Sequence, residues 1–199
     1  MARRDRPDHF SRQARREGYR ARSVYKLEEL QRRFALLRPG MLVLDVGAAP
    51  GSWTQLARKI VGDRGGIVAV DLSEIPALEG AAGVEVIVGD VFDHGVIECI
   101  VARGPYGAVI SDAAPSTSGN RTVDTARSAA LVEHVLWLCD RMLAPGGNLV
   151  AKLFQGGEEQ RLLQEVRSRF RTGRLVKPKA SRDESFEAFL IGQGFSEAE

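Results

Sequence analysis

Cysteine and histidine are scarce in this 199-residue chain, and the scarcity closes off whole classes of chemistry. The two cysteines, Cys99 and Cys139, lack a Cys-x-x-Cys partner and sit in apolar helical patterns, so both read as small core residues in a reducing compartment. Histidines occur only at 9, 94 and 134, without ligand spacing, and no metal site is expected. No apolar run approaches a membrane span and no signal-peptide core follows the arginine-rich start, which predicts a cytoplasmic protein. Missing too are the Gly-x-Gly-x-x-Gly of dinucleotide binders and the Gly-Lys-Ser/Thr that holds a triphosphate.

What is present suffices for one substantial core, with 44% hydrophobic residues over a length too short for two comfortable domains. The formal net charge is only +2, yet residues 1–22 carry eight arginines against three acids. Basic charge is therefore local. We read 1–22 as a basic arm suited to a polyanion, nucleic-acid phosphates above all, and 23–199 as a single domain, a tail that merely aids solubility being the simpler alternative for the arm.

Helical and strand periods alternate after residue 22. Ser23 is placed to cap a helix with Val24, Leu27, Leu30, Phe34 and Leu37 on one face, ending at Pro39-Gly40. Strands are predicted at 41–46, 66–70, 84–88, 107–111 and 147–153, and helices at 51–61, 92–103, 124–143 and 157–170. Such alternation builds an open, mostly parallel sheet with helices on both faces. Two further strands, 173–177 and 185–191, suggest an antiparallel hairpin at one edge, and 115–123 has the composition of a mobile loop.

The richest segment is Val43-Leu44-Asp45-Val46-Gly47-Ala48-Ala49-Pro50-Gly51-Ser52-Trp53, where an apolar strand ends in an acid and enters a glycine turn and a helix. Asp45, Asp71, Asp90 and Asp112 each fall at a strand end, where ligands of doubly wound sheets bind. Any one could cap a helix; four in step argue for a shared ligand. Asp71 stands where a carboxylate can accept from both hydroxyls of a ribose, and an acid-lined crevice suits a sulfonium better than a pyrophosphate. Lys152 interrupts an apolar strand near its carboxyl end, where an ammonium is costly to bury without partners, although lysines at such ends commonly snorkel.

These motifs resemble the FtsJ/RrmJ (RlmE) family of RNA ribose 2′-O-methyltransferases. Resemblance runs from about Phe10 to Gly192 through Glu17-Gly18-Tyr19-Arg20-Ala21-Arg22-Ser23-x-Tyr25-Lys26-Leu27, Asp45-x-Gly47-Ala48-Ala49-Pro50-Gly51-x-Trp53, Ser111-Asp112-x-Ala114-Pro115, Leu143-Ala144-Pro145-Gly146-Gly147, Lys152-x-Phe154-Gln155-Gly156 and Ser181-Arg182-x-x-Ser185-x-Glu187. It departs at Ser52, where Gly is common, at Ser116, where Asn is common, and at Phe189, where Tyr is usual. The resemblance implies a Rossmann-like fold of about seven strands and S-adenosylmethionine as cofactor. It implies a catalytic tetrad of Lys26, Asp112, Lys152 and Glu187, with Lys152 as candidate proton acceptor or oxyanion stabiliser. Cofactor contacts are expected from Asp45, Gly47, Gly51, Trp53, Asp71, Asp90 and Asp112. The implied substrate is a uridine ribose of large-subunit ribosomal RNA in 50S particles; the oligomeric state is not readable from the residues, a monomer being the favoured expectation. Transfer RNA as substrate, a non-catalytic ribosome-assembly module and a nicotinamide-dependent oxidoreductase are the competing readings. The last fails on glycine spacing and leaves Lys26 and Lys152 unexplained.

Overall fold

A computed structural model describes residues 9–77, 82–181 and 185–196. In chain order the elements are α1 His9–Arg16, α2 Val24–Phe34, β1 Leu42–Val46, α3 Ser52–Val61, β2 Gly66–Asp71, β3 Val84–Val88, α4 His94–Val101, β4 Tyr106–Ser111, α5 Arg121–Met142, β5 Leu143–Phe154, α6 Glu159–Arg169, β6 Phe170–Val176 and β7 Glu187–Phe195. They build one seven-stranded sheet in the order β3-β2-β1-β4-β5-β7-β6. The five strands from β3 to β5 pair in parallel, and β7 is antiparallel to both β5 and β6.

Side chains alternate across each strand, so the sheet divides the core in two. Leu44, Val46, Val109, Leu149 and Ala151 pack beneath α5 and α6, while Val43, Ile110, Val150, Phe189 and Ile191 pack beneath α1, α2 and α3. The same alternation puts Asp45, Lys152 and Glu187 on the α2/α3 side.

Several boundaries differ from expectation for identifiable reasons. Helix α2 stops at Phe34, where Ala35 turns left-handed at φ 49°. Leu36 and Leu37 remain fully buried in an extended connection that the Gln31 amide holds by donating to Leu37 O and accepting from Leu37 N, both at 2.8 Å. Burial thus outlasts the helix, which is why the apolar pattern overruns it. Ser23 makes no side-chain cap, and its hydroxyl instead meets that of Ser52 at 3.0 Å. Residues 121–123 are the first turn of α5, capped by Asn120 through the Thr122 and Val123 N–H groups. The preceding loop is fastened too, because buried Asp124 accepts from the Ser118 N–H at 2.7 Å and its hydroxyl at 2.8 Å. Strand β5 begins at Leu143, its pairing with β4 shifting register between Tyr106 and Ala108. Of the cysteines expected in the core, Cys139 is buried and Cys99 exposed.

Residues 9–22 lie on the body. Ala14 is buried, the Phe10 ring meets Tyr25 at 5.5 Å, and Arg20 donates to Pro50 O, Pro76 O and Ala77 O at 2.9, 2.7 and 2.6 Å. Among the described residues no helix is long and apolar enough to cross a membrane.

Strand order reverses between β1 and β4, and Gly47 permits the closure there. Its φ is +71°, and a Cβ added to it would lie 2.4 Å from Ala113 Cβ and 2.5 Å from Ala113 Cα. Because the obstacle includes backbone, neither strand end can yield cheaply. Gly47→Ala is expected to destabilise the protein by roughly 1–3 kcal/mol, read as a lowered urea midpoint. An unchanged midpoint would show that the two strand ends separate freely.

Candidate active site

Parallel strands carry their ligands beyond their carboxyl ends, and here those ends frame a cavity of about 540 Å³. Gly47, Asp71, Asp90 and Asp112 line it, with Phe92 at one side and Ser116 and Arg127 at another. Three of the four strand-end acids therefore share one space. Two of them are already oriented by backbone. Asp71 accepts from Ala49 N at 2.9 Å and Ser73 N at 2.8 Å, and Asp90 accepts from Phe92 N at 2.9 Å. A carboxylate has more lone pairs than these bonds use, so both retain acceptor capacity for a ligand.

Asp45, Gly51 and Trp53, expected at the cofactor, do not line the cavity. Asp45 is fully buried between β1 and α3, taking a hydrogen bond from the Thr54 hydroxyl at 2.6 Å while its Oδ1 has no partner. Gly51 caps α3 at φ 105°. Trp53 is a core residue: its indole N–H donates to Ser23 O at 2.9 Å and its ring stacks on Phe189 at 5.7 Å. Both roles shape the turn that carries Gly47. The sequence departures have partners as well, since Ser52 meets Ser23 and Phe189 lies 5.7 Å below the Lys26 ammonium.

Lys26, Asp112, Lys152 and Glu187 come from four separate parts of the fold and form two ion pairs. Lys26 Nζ donates to Glu187 Oε2 at 2.6 Å, and Lys152 Nζ lies 3.1 Å from Asp112 Oδ1 and 2.5 Å from Asp112 O. The carboxylate contact is an ion pair without hydrogen-bond alignment, because that Oδ1 has no aligned donor. Both lysines are 8% exposed. Burial works to raise the Glu187 carboxyl, but the Lys26 ammonium, its hydrogen bond and the Lys152 charge outweigh it and hold the carboxyl below its ordinary value. The two pairs are thus electrostatically joined. Glu187 accompanies Phe154 in the β5–β7 register, and Lys152 accompanies Phe189, so the pairing itself sets the two charged side chains side by side.

Sequence reasoning missed a second set of residues. Glu29, one turn after Lys26, accepts from Lys179 N at 2.7 Å, and Arg22 donates to Ala180 O at 2.7 Å. Arg22 and Glu29 thereby hold residues 179–180 against the start of α2. His134 meets Val91 O at 2.7 Å and packs its ring against Phe92 at 4.1 Å with a tilt of 31°, bracing the loop that bears Asp90. The available signal was a polar residue at a buried helical position: Glu29 is only 9% exposed.

An acid-lined cavity next to two lysine–carboxylate pairs is suited to moving a carbon group from a cationic donor to an oxygen nucleophile, and the Asp71 and Asp90 carboxylates that line it fit a positively charged ligand bearing hydroxyls. Comparison with solved structures agrees on the fold. A protein described as a ribosomal RNA methyltransferase from Plasmodium falciparum aligns with TM-score 0.76 and 23% identity, over 89% of this chain and 98% of its own. Aeropyrum pernix fibrillarin with bound S-adenosyl-L-methionine aligns with TM-score 0.60 and 16% identity, over 85% of this chain and 76% of its own. The architecture is that of Rossmann-like methyltransferases. The family model for FtsJ-like methyltransferases matches residues 19–195, and this chain belongs to that family. Proteins called ribosomal RNA large subunit methyltransferase E are similar throughout. The Treponema denticola protein is 48% identical over 189 residues, 95% of either chain, and the Syntrophobacter fumaroxidans protein 50% identical over 186, covering 93% of this chain and 94% of its own. The cofactor of this family is S-adenosylmethionine.

Burial pushes the Asp45 carboxyl up to about 7, against the Thr54 hydrogen bond and with help from Asp112 and Asp71. An aspartate raised on folding binds a proton that the unfolded chain has released, so this group removes stability as pH rises between about 4 and 7. Asp45→Asn is expected to lose that slope, giving a smaller fall in urea midpoint from pH 4.5 to pH 7 than the wild type. Parallel pH profiles would contradict a buried, titrating Asp45.

Proposed function

We propose that this enzyme transfers a methyl group from S-adenosylmethionine to a ribose 2′-hydroxyl, its substrate being a uridine of large-subunit ribosomal RNA in assembled or nearly assembled 50S particles. The family and the relatives' shared name support the reaction class and the ribosomal substrate, across nearly the whole chain. One structural observation carries the chemistry: the Lys152–Asp112 pair stands at the rim of the acid-lined cavity, with Lys26–Glu187 coupled to it.

S-adenosylmethionine supplies a methyl group on a cationic sulfur. Asp71 is assigned to the hydroxyls of its ribose, Asp90 to its adenine edge, and the turn at Gly47 to its methionine end. A ribose hydroxyl is a weak nucleophile, so the remaining work is alignment and proton removal. Lys152 Nζ, oriented by both Asp112 oxygens, is assigned to the 2′-oxygen as proton acceptor. Lys26 and Glu187 place the ribose. A second role for Lys152 is favoured by its two Asp112 contacts, which suit an ammonium: a cation stabilising the oxyanion as it forms. Phosphate contacts are assigned to Arg12, Arg15 and Arg16 of α1, since Arg20 and Arg22 spend hydrogen bonds on the protein's own carbonyls.

Transfer of radiolabelled methyl to 50S particles, with the nucleotide then mapped, tests the function directly; absence of transfer, with RNA binding intact, would support an assembly module instead. Lys152→Ala is expected to lose at least about 100-fold in rate while folding and binding cofactor. Lys152→Arg separates the two roles, because arginine keeps the charge and cannot accept a proton: near-normal turnover would leave only electrostatic stabilisation. Replacing Arg12, Arg15 and Arg16 by alanine should spare cofactor affinity, weaken RNA binding and reduce the log–log salt slope by roughly 0.7–0.9 for each phosphate left unneutralised. An unchanged slope would make α1 a solubility device.

A further inference from the structure

Arg121 and Phe186 contribute neither to the cofactor cavity nor to either ion pair, yet the fold brings them together beside the Lys152–Glu187 end of the sheet. Arg121 opens α5 and is exposed, and Phe186 immediately precedes Glu187 and is partly buried. The Arg121 guanidinium carbon lies 5.3 Å from the Phe186 ring centroid, and the same guanidinium donates to Gln155 O at 3.4 Å. Behind them, the Phe154 ring meets Phe186 edge-on at 4.9 Å with an interplanar angle of 64°. Phe154 itself is 6% exposed and stands two residues from Lys152 on the same face of β5. The arrangement runs from a buried ring through a partly exposed ring to an exposed cation.

Core packing does not account for this arrangement. An aromatic ring partly in solvent, with an arginine on it instead of an aliphatic neighbour, offers a π surface and a guanidinium together. Unstacked bases of single-stranded RNA are held on such groups, either on aromatic rings or on guanidinium planes. The ribose to be methylated must enter between Lys152 and Lys26 with its base turned out of any helix, which leaves a base in need of a new stacking partner. Phe186 is the neighbour in sequence of Glu187, and so lies within a nucleotide's reach of the ribose. We propose that Arg121 and Phe186 form the stacking seat for a nucleobase of the RNA, the target base or its immediate neighbour. A ring face and a guanidinium plane are open to any base, so the seat recognises an unstacked base and contributes affinity more than sequence choice.

This inference rests on the proposed RNA ribose methylation, and the test keeps the two apart. Wild type, Phe186→Leu, Phe186→Trp and Arg121→Ala are compared for cofactor affinity by calorimetry and for KM and kcat on 50S particles. Leucine preserves apolar packing on Phe154 but removes the π face. The leucine and alanine variants should raise KM by about 5- to 150-fold, the equivalent of the roughly 1–3 kcal/mol of a base–aromatic stack. Tryptophan should keep KM near that of the wild type, and cofactor affinity should stay constant throughout. Unchanged KM in Phe186→Leu with an active wild type would overturn the stacking seat alone, as would a common loss of cofactor affinity, which would mark Phe186 as a packing residue. A wild type that transfers no methyl to RNA would overturn the function and the seat with it.

Discussion

The 2.6 Å contact between Lys26 and Glu187 joins residues 161 positions apart, and the reactive end of the sheet depends on it. Neither charge is tolerable at its depth without the other, since an ammonium or carboxylate that loses its partner under partial burial costs several kcal/mol. The pair is reinforced nearby by bonds of the same kind of reach: Glu29 to Lys179, Arg22 to Ala180, Gln193 to Phe34 O and Asn148 to Leu36 O. Helix α2 is thereby fixed against β7 from both sides. Lys152 then has a defined position, because β7 is the strand that lies along β5.

Around that frame the distribution of charge separates two tasks. Acids collect at the ends of the parallel strands, where Asp71, Asp90 and Asp112 face a common space, and cations collect where β5 meets β7. Asp112 belongs to both groups, lining the cavity and facing Lys152. Opposite signs thus stand on either side of one shared carboxylate, which is the arrangement the proposed transfer from a cationic donor to an oxygen that gains negative charge calls for.

The parallel half of the sheet was legible because its strands are mostly apolar and its connections are short, so local pattern and final position agree. The antiparallel half was legible as an edge hairpin, but not the order of its two strands. Nothing within 173–177 or 185–191 says that the later one enters between β5 and β6, since that is decided by what each edge can pair with after collapse. Helix α1 escaped notice because arginines dominate its composition while Ala14 is its one buried residue. Trp53 was legible as part of a cofactor motif, but its hydrogen bond to Ser23 O and its stacking on Phe189 were not, since both partners lie far off in sequence. Lys26 gave no signal through periodicity, lying between Tyr25 and Leu27 on a helix whose buried face is mostly apolar, and only motif resemblance singled it out.

The insertion of β7 between β5 and β6 has a consequence for the order of events in synthesis. A chain still emerging from the ribosome can assemble β1 to β5 with their helices, because all of those strands precede Gln155 in the sequence. Until residues 187–195 are free, β5 keeps an unpaired edge, β6 has no strand to join, and Lys26 faces no carboxylate from Glu187. The acid-lined cavity of the nascent protein is therefore framed before the two lysine–carboxylate pairs are complete. The Lys26–Glu187 pair exists only when the last strand is in place, so a chain truncated before that point lacks it and exposes a sheet edge.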